Sequence, residues 1–554
     1  MLPSSAAQAA ASEPLQVSLS PSWNYEHDVV VLAGGGGEAT VEHLLQRGVR
    51  RVVVYLTPES HASPDSRVRT VRSSDELWET LMTFDPPPYS VVLRRVPGGG
   101  VSGELNQELA RLLQKAASNR ATFAAKGEVW VRHSLRNMRY LAERPSIAAL
   151  HGKFAKKPCV IVSPGPSLAK NIALLPALKG KALLIAGNRS VAPLKQIGVA
   201  PDLVVVADPI DLRYQLQGNA LEGAGALLLD LVVHPGMFEL EARRHFLYTA
   251  VHEVAATTSG ALGSAGLLQS GGSVATTAFR LALELGCDPI LFVGQDLALS
   301  GDQYYVPSAP DGATRISVNN GIGVFQNSSS ELKRAVQELG GVAESRQATQ
   351  HFVQVRGWDG QRVYTSVQFD NYRRWLEATT AALESRVRVL NCTEGGAYIQ
   401  AMEHLPLADA LNGLELGPLD VDGVLDQAYS SFQGSRTKKQ VERQVTRMQH
   451  ALNEALSEVA RCETLVARLE SDASAFKSLE KCETKLRAAL AQAPFVTAWA
   501  STAVEAARRT CANATSLADN VRATRALYAV VKDSAHATRP ILAETLRHVK
   551  RQGS

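Results

Sequence analysis

Apolar residues along this chain fall in short unbroken runs that end on glycine, proline or a polar side chain. Cys159-Val160-Ile161-Val162, Ala182-Leu183-Leu184-Ile185-Ala186, Leu203-Val204-Val205-Val206, Ala226-Leu227-Leu228-Leu229 and Ile290-Leu291-Phe292-Val293 are of this kind, as are the runs at 28–33, 51–56, 90–94 and 388–390. Apolar runs without alternation mark strands covered on both faces, the condition of a parallel sheet. Helical segments such as Glu38–Gln46 and 104–117 lie between them, which gives the rhythm of an α/β fold. The last quarter changes period. Val441, Val445, Met448, Leu452, Ala455, Val459, Cys462, Val466 and Leu469 follow a strict 4-3 spacing, a heptad seam on one long helix. Glu442, Arg443, Glu454 and Glu458 lie off it, and further helices are predicted at 476–491, 498–531 and 541–550. The expected organisation is a disordered tail at 1–20, a smaller Rossmann-like domain at 21–121, a Rossmann-like central domain with a parallel sheet at 122–411, and an all-α bundle at 412–554.

Composition narrows the class. With 554 residues and 45% hydrophobic content, the chain can bury several cores. Its 58 Lys+Arg against 54 Asp+Glu leave a net charge of +4, too little for an extended nucleic-acid surface. Six scattered cysteines without a C-x-x-C pair read as small hydrophobes in a reducing cytosol. The Ala/Ser-rich start lacks the basic and apolar parts of a signal peptide, and no apolar run is long enough for a membrane span. A cytoplasmic protein is expected.

The candidate chemistry lies where runs end. Val162 is followed by Ser163-Pro164-Gly165-Pro166-Ser167, and Ser270-Gly271-Gly272-Ser273 opens a helical segment. A Gly-rich turn beside a helix start offers backbone N–H groups to an anion. Two such turns in one domain point to a phosphorylated ligand, a nucleotide foremost. Other runs end at Asn188, Asp208, Asp230, Asp296 and Asn391-Cys392-Thr393-Glu394-Gly395-Gly396. Ligands of open α/β sheets bind at that edge, although a lone strand-end Asp or Asn is equally a helix cap. The glycine block at 34–37 only weakly matches a dinucleotide fingerprint, and Glu59 sits beyond Pro58. That domain reads as Rossmann-like without a cofactor. No metal-ligand cluster stands out in the central domain, and Asp420-Val421-Asp422 reads as a surface turn. Neither cofactor nor metal is expected.

Taken in order, Gly165-Pro166-Ser167-Leu168, Gly187-Asn188-Arg189-Ser190, Ala207-Asp208-Pro209, Gly271-Gly272-Ser273-Val274-Ala275-Thr276-Thr277-Ala278, Gly294-Gln295-Asp296-Leu297-Ala298 and Asn391-Cys392-Thr393-Glu394-Gly395-Gly396-Ala397 resemble the motility accessory factor (Maf) glycosyltransferases. Asn137-Met138-Arg139-Tyr140-Leu141 and Pro145-Ser146-Ile147 resemble that family's entry into its central domain. The resemblance implies transfer of a nonulosonic acid, pseudaminic or legionaminic, from a CMP-activated donor to Ser/Thr of flagellin, a step needed for flagellum assembly and motility. The central domain resembles, more distantly, bacterial CMP-sialic acid sialyltransferases, which need no metal. That likeness implies Gly165, Pro166 and Ser167 at the CMP, Asn188 beside them, Ser270, Gly271 and Gly272 nearby, and Tyr304, with Tyr305 adjacent, at the leaving phosphate. Asp208, Ser273, Thr393 and Gly395 complete the expected nucleotide-sugar site.

The acceptor hydroxyl needs a base. The segment parallel to the sialyltransferase His reads Arg362-Val363-Tyr364-Thr365-Ser366; His351 is nearest in order, and Asp296 and Glu394 are alternatives that serve equally as caps or sugar ligands. Two other readings stay open. The domain also resembles an archaeal pterin diphosphokinase, which uses ATP and Mg²⁺, although no Walker A lysine motif is present. The third reading is a non-catalytic flagellin-binding chaperone. The heptad seam reads as intrachain packing, as a homo-oligomer interface or as an acceptor-docking surface.

Overall fold

The apolar runs become strands of two parallel sheets. The computed structural model describes residues 29–33, 38–55, 68–73, 76–77, 80, 91–95, 126–250, 266–327, 349–469, 472, 474–512 and 516–551. They belong to two units: Met1–Ala124 with Leu465–Ala475 and Thr502–Ala529, and Ala125–Thr464 with Phe476–Ser501 and Val530–Ser554. In the first unit, β1 (Val29–Ala33), β2 (Arg51–Tyr55), β3 (Val68–Val71) and β4 (Val91–Arg95) are parallel in the order β3-β2-β1-β4. The helix Glu38–Gln46 packs Val41 and Leu44 onto Val30, Leu32, Val52 and Val54. The glycine block, Glu59 and the expected helix at 104–117 lie outside the described residues.

The second unit is built on an eight-stranded parallel sheet. Its strands are β5 (Cys159–Val162), β6 (Leu183–Gly187), β7 (Leu203–Val206), β8 (Ala226–Asp230), β9 (His245–Tyr248), β10 (Ile290–Val293), β15 (Val389–Asn391) and β16 (Glu403–His404), in the order β16-β15-β10-β5-β6-β7-β8-β9. Side chains alternate between two cores. Cys159 and Ile161 enter one with Leu183 and Ile185; Val160 and Val162 enter the other with Leu184 and Ala186. Burial on both faces explains the unbroken apolar runs. The chain moves outward from β5 to β9 and then returns to the far side of β5 with β10. That reversal opens a crevice at the carboxyl ends of β5 and β10, where ligands of such sheets bind.

Apolar runs did not reveal every strand. The edge strand β9 begins on a histidine. A second sheet of β11 (Arg315–Asn319), β12 (Ile322–Gln326), β13 (Thr349–Arg356) and β14 (Arg362–Ser366) is antiparallel and largely polar. Half-solvated strands carry a weaker hydrophobic signal than doubly covered ones.

The boundary expected at 411 falls inside the helix Leu407–Asn412, and the next helix, Val421–Ser430, places Val421, Leu425 and Ala428 in the central core. Asp420-Val421-Asp422 is therefore the start of a helix rather than a turn, with both aspartates exposed. Asp420 caps that helix by accepting from Gly423 N–H, and Asp422 pairs with the buried Arg244.

The heptad seam lies on the helix Gly434–Leu469. Its residues from Val441 to Val466 are buried within the chain itself, so intrachain packing holds and the seam is not an open dimer surface. Glu458, expected off the seam, is also buried and bonds Arg461. The helix expected at 476–491 spans Ala475–Gln492. The single helix expected at 498–531 is broken: Pro494–Trp499, Ser501–Ala512 and Leu517–Arg551 are separate, the first break being the non-helical Ala500. The last of these runs on through Pro540 and absorbs the helix expected at 541–550. Thr545 Oγ1 ties it to Leu135 O at 2.8 Å. Among the described residues no helix is long and apolar enough to cross a membrane.

Candidate functional site

Two layers of polar residues meet at the carboxyl edge of the large sheet. The inner layer locks three loops together. Ser167 Oγ donates to Asp296 Oδ1 at 2.6 Å, and Ser167 N–H lies 3.2 Å from both carboxylate oxygens. Ser163 Oγ donates to Gln295 Oε1, Gly165 N–H donates to Gly294 O at 2.9 Å, and Gln295 N–H donates to Thr393 Oγ1 at 3.1 Å. A Cβ at Gly165 would collide with the Asp296 carboxylate and Gly294 O; one at Gly395 would strike Ser167 Oγ. These glycines permit loop-to-loop contact. Pro166 is buried in the same turn. Burial pushes the Asp296 pKa up to about 6 against the Ser167 hydrogen bonds and the charge of Lys170. Glu394 is engaged too: its Oε1 accepts from Leu407 N–H at 3.0 Å, at the start of the helix Leu407–Asn412.

The outer layer gathers around the segments that follow β6, β7 and β10. Asn188 Nδ2 donates to Gln215 Oε1 at 2.6 Å, and Gln215 Nε2 donates to Tyr214 OH at 2.7 Å. Arg189 lies 5.0 Å over the Tyr305 ring, donates to Tyr305 OH at 3.2 Å, and meets Asp311 Oδ2 at 3.5 Å. Its Nε is out of solvent with no partner among the described residues. Burial works against the Arg189 charge, but Tyr305, Asp208, Asp311 and Tyr214 outweigh it and raise the pKa. Burial raises the Tyr305 pKa, with Arg189 opposing and Asp208 and Asp311 adding to the rise. Tyr305 OH thus accepts from Arg189 and stays protonated. Asp208 is half-buried.

Local capping places the second Gly-rich turn. Ser273 and Thr276 form a reciprocal capping box at the start of the helix Val274–Glu284. Ser270 Oγ lies 2.8 Å from Thr277 Oγ1. A Cβ on Gly187 would come within 3.1 Å of Val274, so this helix starts beside the end of β6. Gly271 leaves room for Trp375, and a Cβ on Gly272 would approach Tyr372.

The expected site residues thus divide. Asn188 and Asp208 lie with the outer layer, beside the turn from Ser270 to Ser273; Gly165, Pro166, Ser167, Asp296, Thr393, Glu394 and Gly395 form the inner lock. Tyr304 stacks on Phe369 at 4.8 Å and hydrogen-bonds Ser366, while its neighbour Tyr305 holds Arg189. His351 is exposed on β13, paired with Ile322 of the antiparallel sheet. Arg189, Tyr214, Gln215, Asp311 and Tyr372 were not singled out as site residues. Only Arg189 carried a signal, being part of the Gly-Asn-Arg-Ser motif; the others come from separate elements. Among the described residues no group of three or more His, Cys, Asp or Glu is placed to hold a metal ion.

A family model described as 6-hydroxymethylpterin diphosphokinase MptE-like matches residues 132–302, the stretch that carries β5 to β10. An uncharacterized protein of Treponema pallidum (strain Nichols) is 34% identical over 116 residues, covering 19% of this chain and 30% of that protein. The chain therefore spans less than a third of that relative's length. A solved structure, described as the MAf glycosyltransferase from Magnetospirillum magneticum AMB-1, matches with a TM-score of 0.55 and 15% identity, over 96% of this chain and 81% of that one. At that identity the likeness is one of fold.

Proposed function

We propose that this chain is a glycosyltransferase that moves a nonulosonic acid from a CMP-activated donor to a Ser/Thr hydroxyl of a protein acceptor. The observation that carries the reading is the Arg189–Tyr305 pair at the crevice edge, beside Asn188 and the capped start of the helix Val274–Glu284. The fold likeness to the MAf glycosyltransferase and the ordered motifs support it. In the reaction the bond from the anomeric carbon to the CMP phosphate breaks, and charge grows on the phosphate oxygen. Arg189 supplies positive charge there, and the Tyr305 O–H supplies a hydrogen bond. The acceptor oxygen attacks the anomeric carbon and gives its proton to a base. Asp208 is our choice, because Asp296 is bound to Ser167 and Glu394 to Leu407 N–H. Flagellin is the proposed acceptor and the cytoplasm the proposed compartment.

The match to the diphosphokinase-like family model favours a second reading, ATP-dependent diphosphoryl transfer to a pterin. Calorimetric titration separates the two. Saturable CMP binding that survives EDTA, followed by transfer from a CMP-nonulosonate to flagellin, is expected. Binding of ATP with Mg²⁺ but not of CMP would overturn the glycosyltransferase reading.

A further inference from the structure

A second polar cleft of about 300 Å³ lies away from the crevice. Pro145 O accepts from Leu247 N–H, and Ser146 bridges to Leu247 of β9, so the cleft adjoins the β9 edge of the sheet. Two strands, β7 and β8, lie between β9 and β6, so the two are on the order of 15 Å apart at the usual strand spacing. The walls come from residues just before β5 and from the junction between the helices Val421–Ser430 and Gly434–Leu469.

Positive charge gathers there, from Arg144 and Arg436. Arg144 lies 4.9 Å over the Tyr140 ring and 5.5 Å over Phe238, two rings stacked at 4.2 Å. Its Nη2 donates to Phe238 O at 2.9 Å, while its Nη1 is out of solvent with no partner among the described residues. Burial lowers the Arg144 pKa more than Glu143, Tyr140 and Tyr429 raise it. Glu143 itself meets His548 at 3.2 Å. Arg436 stands exposed on the first turn of its helix, and no carboxylate lines the cleft. Neither arginine has an ion pair among the described residues. A partly buried guanidinium with one donor unpaired is costly, and two planar guanidinium groups match an oxyanion.

We propose that this cleft binds the oxyanion of a small hydroxylated acid. Arg144 and Arg436 hold the carboxylate or phosphate. The exposed amides of Gln433 and Gln440 meet hydroxyls, and the half-buried Phe432 ring supports the carbon skeleton. The site stands independently of the glycosyltransferase reading.

Hydrogen–deuterium exchange on the full chain tests it, with N-acetylneuraminic acid, its methyl ester and inorganic phosphate each titrated to about 10 mM. The acid, phosphate or both should slow exchange at 141–149 and 431–440. The neutral ester should bind about tenfold more weakly than the acid if the sugar is the ligand, and Arg436→Gln should weaken binding by about tenfold. Phosphate acting alone would identify the anion rather than the sugar as the recognised group. Gln440→Ala, on an exposed helix face, should weaken the sugar acid but not phosphate. Absence of protection at 141–149 and 431–440 with all three probes, equal binding of acid and ester without phosphate binding, or affinity unchanged in Arg436→Gln would overturn the proposal. Protection confined to 163–167 and 187–190 would place the anion in the crevice and overturn it too, while leaving the glycosyltransferase reading intact.

Discussion

Ser167 Oγ donates to the Asp296 carboxylate at 2.6 Å across 129 residues of sequence, pinning the turn after β5 to the loop after β10. The Gly-Pro-Ser turn is therefore shaped by a buried carboxyl group as well as by its own proline and glycine. Ser167→Ala removes the stronger donor and leaves Asp296 with the backbone N–H. We expect a loss of about 1–3 kcal/mol in urea unfolding, together with weaker CMP binding. Unchanged stability would mean that this hydrogen bond does not hold the loops.

The same carboxyl group gives a signed pH dependence. Its folded-state pKa is raised to about 6 by burial, above its ordinary value of 3.8. The folded chain therefore holds this proton more tightly than the unfolded chain. The resulting stabilisation is present below the unfolded pKa and lost as pH rises through the folded one, ~3 kcal/mol at most. Asp296→Asn should remove this fall between pH 4 and 7, measured as the difference from the parent's unfolding curves. Parallel curves would contradict the assignment.

His133 acts with the opposite sign. Burial lowers its pKa to about 4 against its hydrogen bond to Val232 O, with His234, Arg132 and Arg136 adding to the fall. The unfolded chain takes up this proton first as pH drops below about 6.5. Stability should decline from pH 7 to pH 5 by ~2 kcal/mol through this residue. His133→Asn should show a correspondingly shallower decline.

Tyr305 and Tyr304 are adjacent but differ in surroundings. Tyr305→Phe keeps the ring under Arg189 and removes the hydroxyl, so turnover should fall by about ten- to a hundredfold with smaller change in donor affinity. Tyr304→Phe should lower turnover less, since its ring stacks on Phe369 and its hydroxyl meets Ser366 rather than Arg189. Equal effects in single-turnover assays would remove the distinction.

Arg244 is fully buried and reaches Asp422, Asp426 and Gly225 O. Arg244→Met should loosen the helix Val421–Ser430 and cost about 1–3 kcal/mol, because the interior loses a partner for Gly225 O while the two exposed aspartates return to water. A shift in urea midpoint measures this.

The parallel core was legible because burial on both faces leaves a mark in one stretch of residues. Val160 and Ile161 are apolar whichever neighbours they meet, and the 4-3 spacing from Val441 to Val466 describes a seam before its partner is known. The glycines at 165, 271 and 395 read as anion-binding turns, and only the structure shows that they make room for Asp296, Trp375 and Ser167. The antiparallel sheet and β9 were less legible, since partial solvation or an edge position dilutes the apolar pattern.

The sequence by itself determined the α/β core, the long helices and the edge at which strand-end polar residues collect. Only the tertiary structure decided how those residues divide the work. Asp296 and Glu394 carry the carboxylates of a base but are bound to Ser167 and to Leu407 N–H, whereas Arg189 reaches Tyr305 across 116 residues. Strand periodicity is a local property of burial. A carboxyl group's availability, or an arginine's partner, depends on which distant loops the sheet order brings together, and no local pattern records that order.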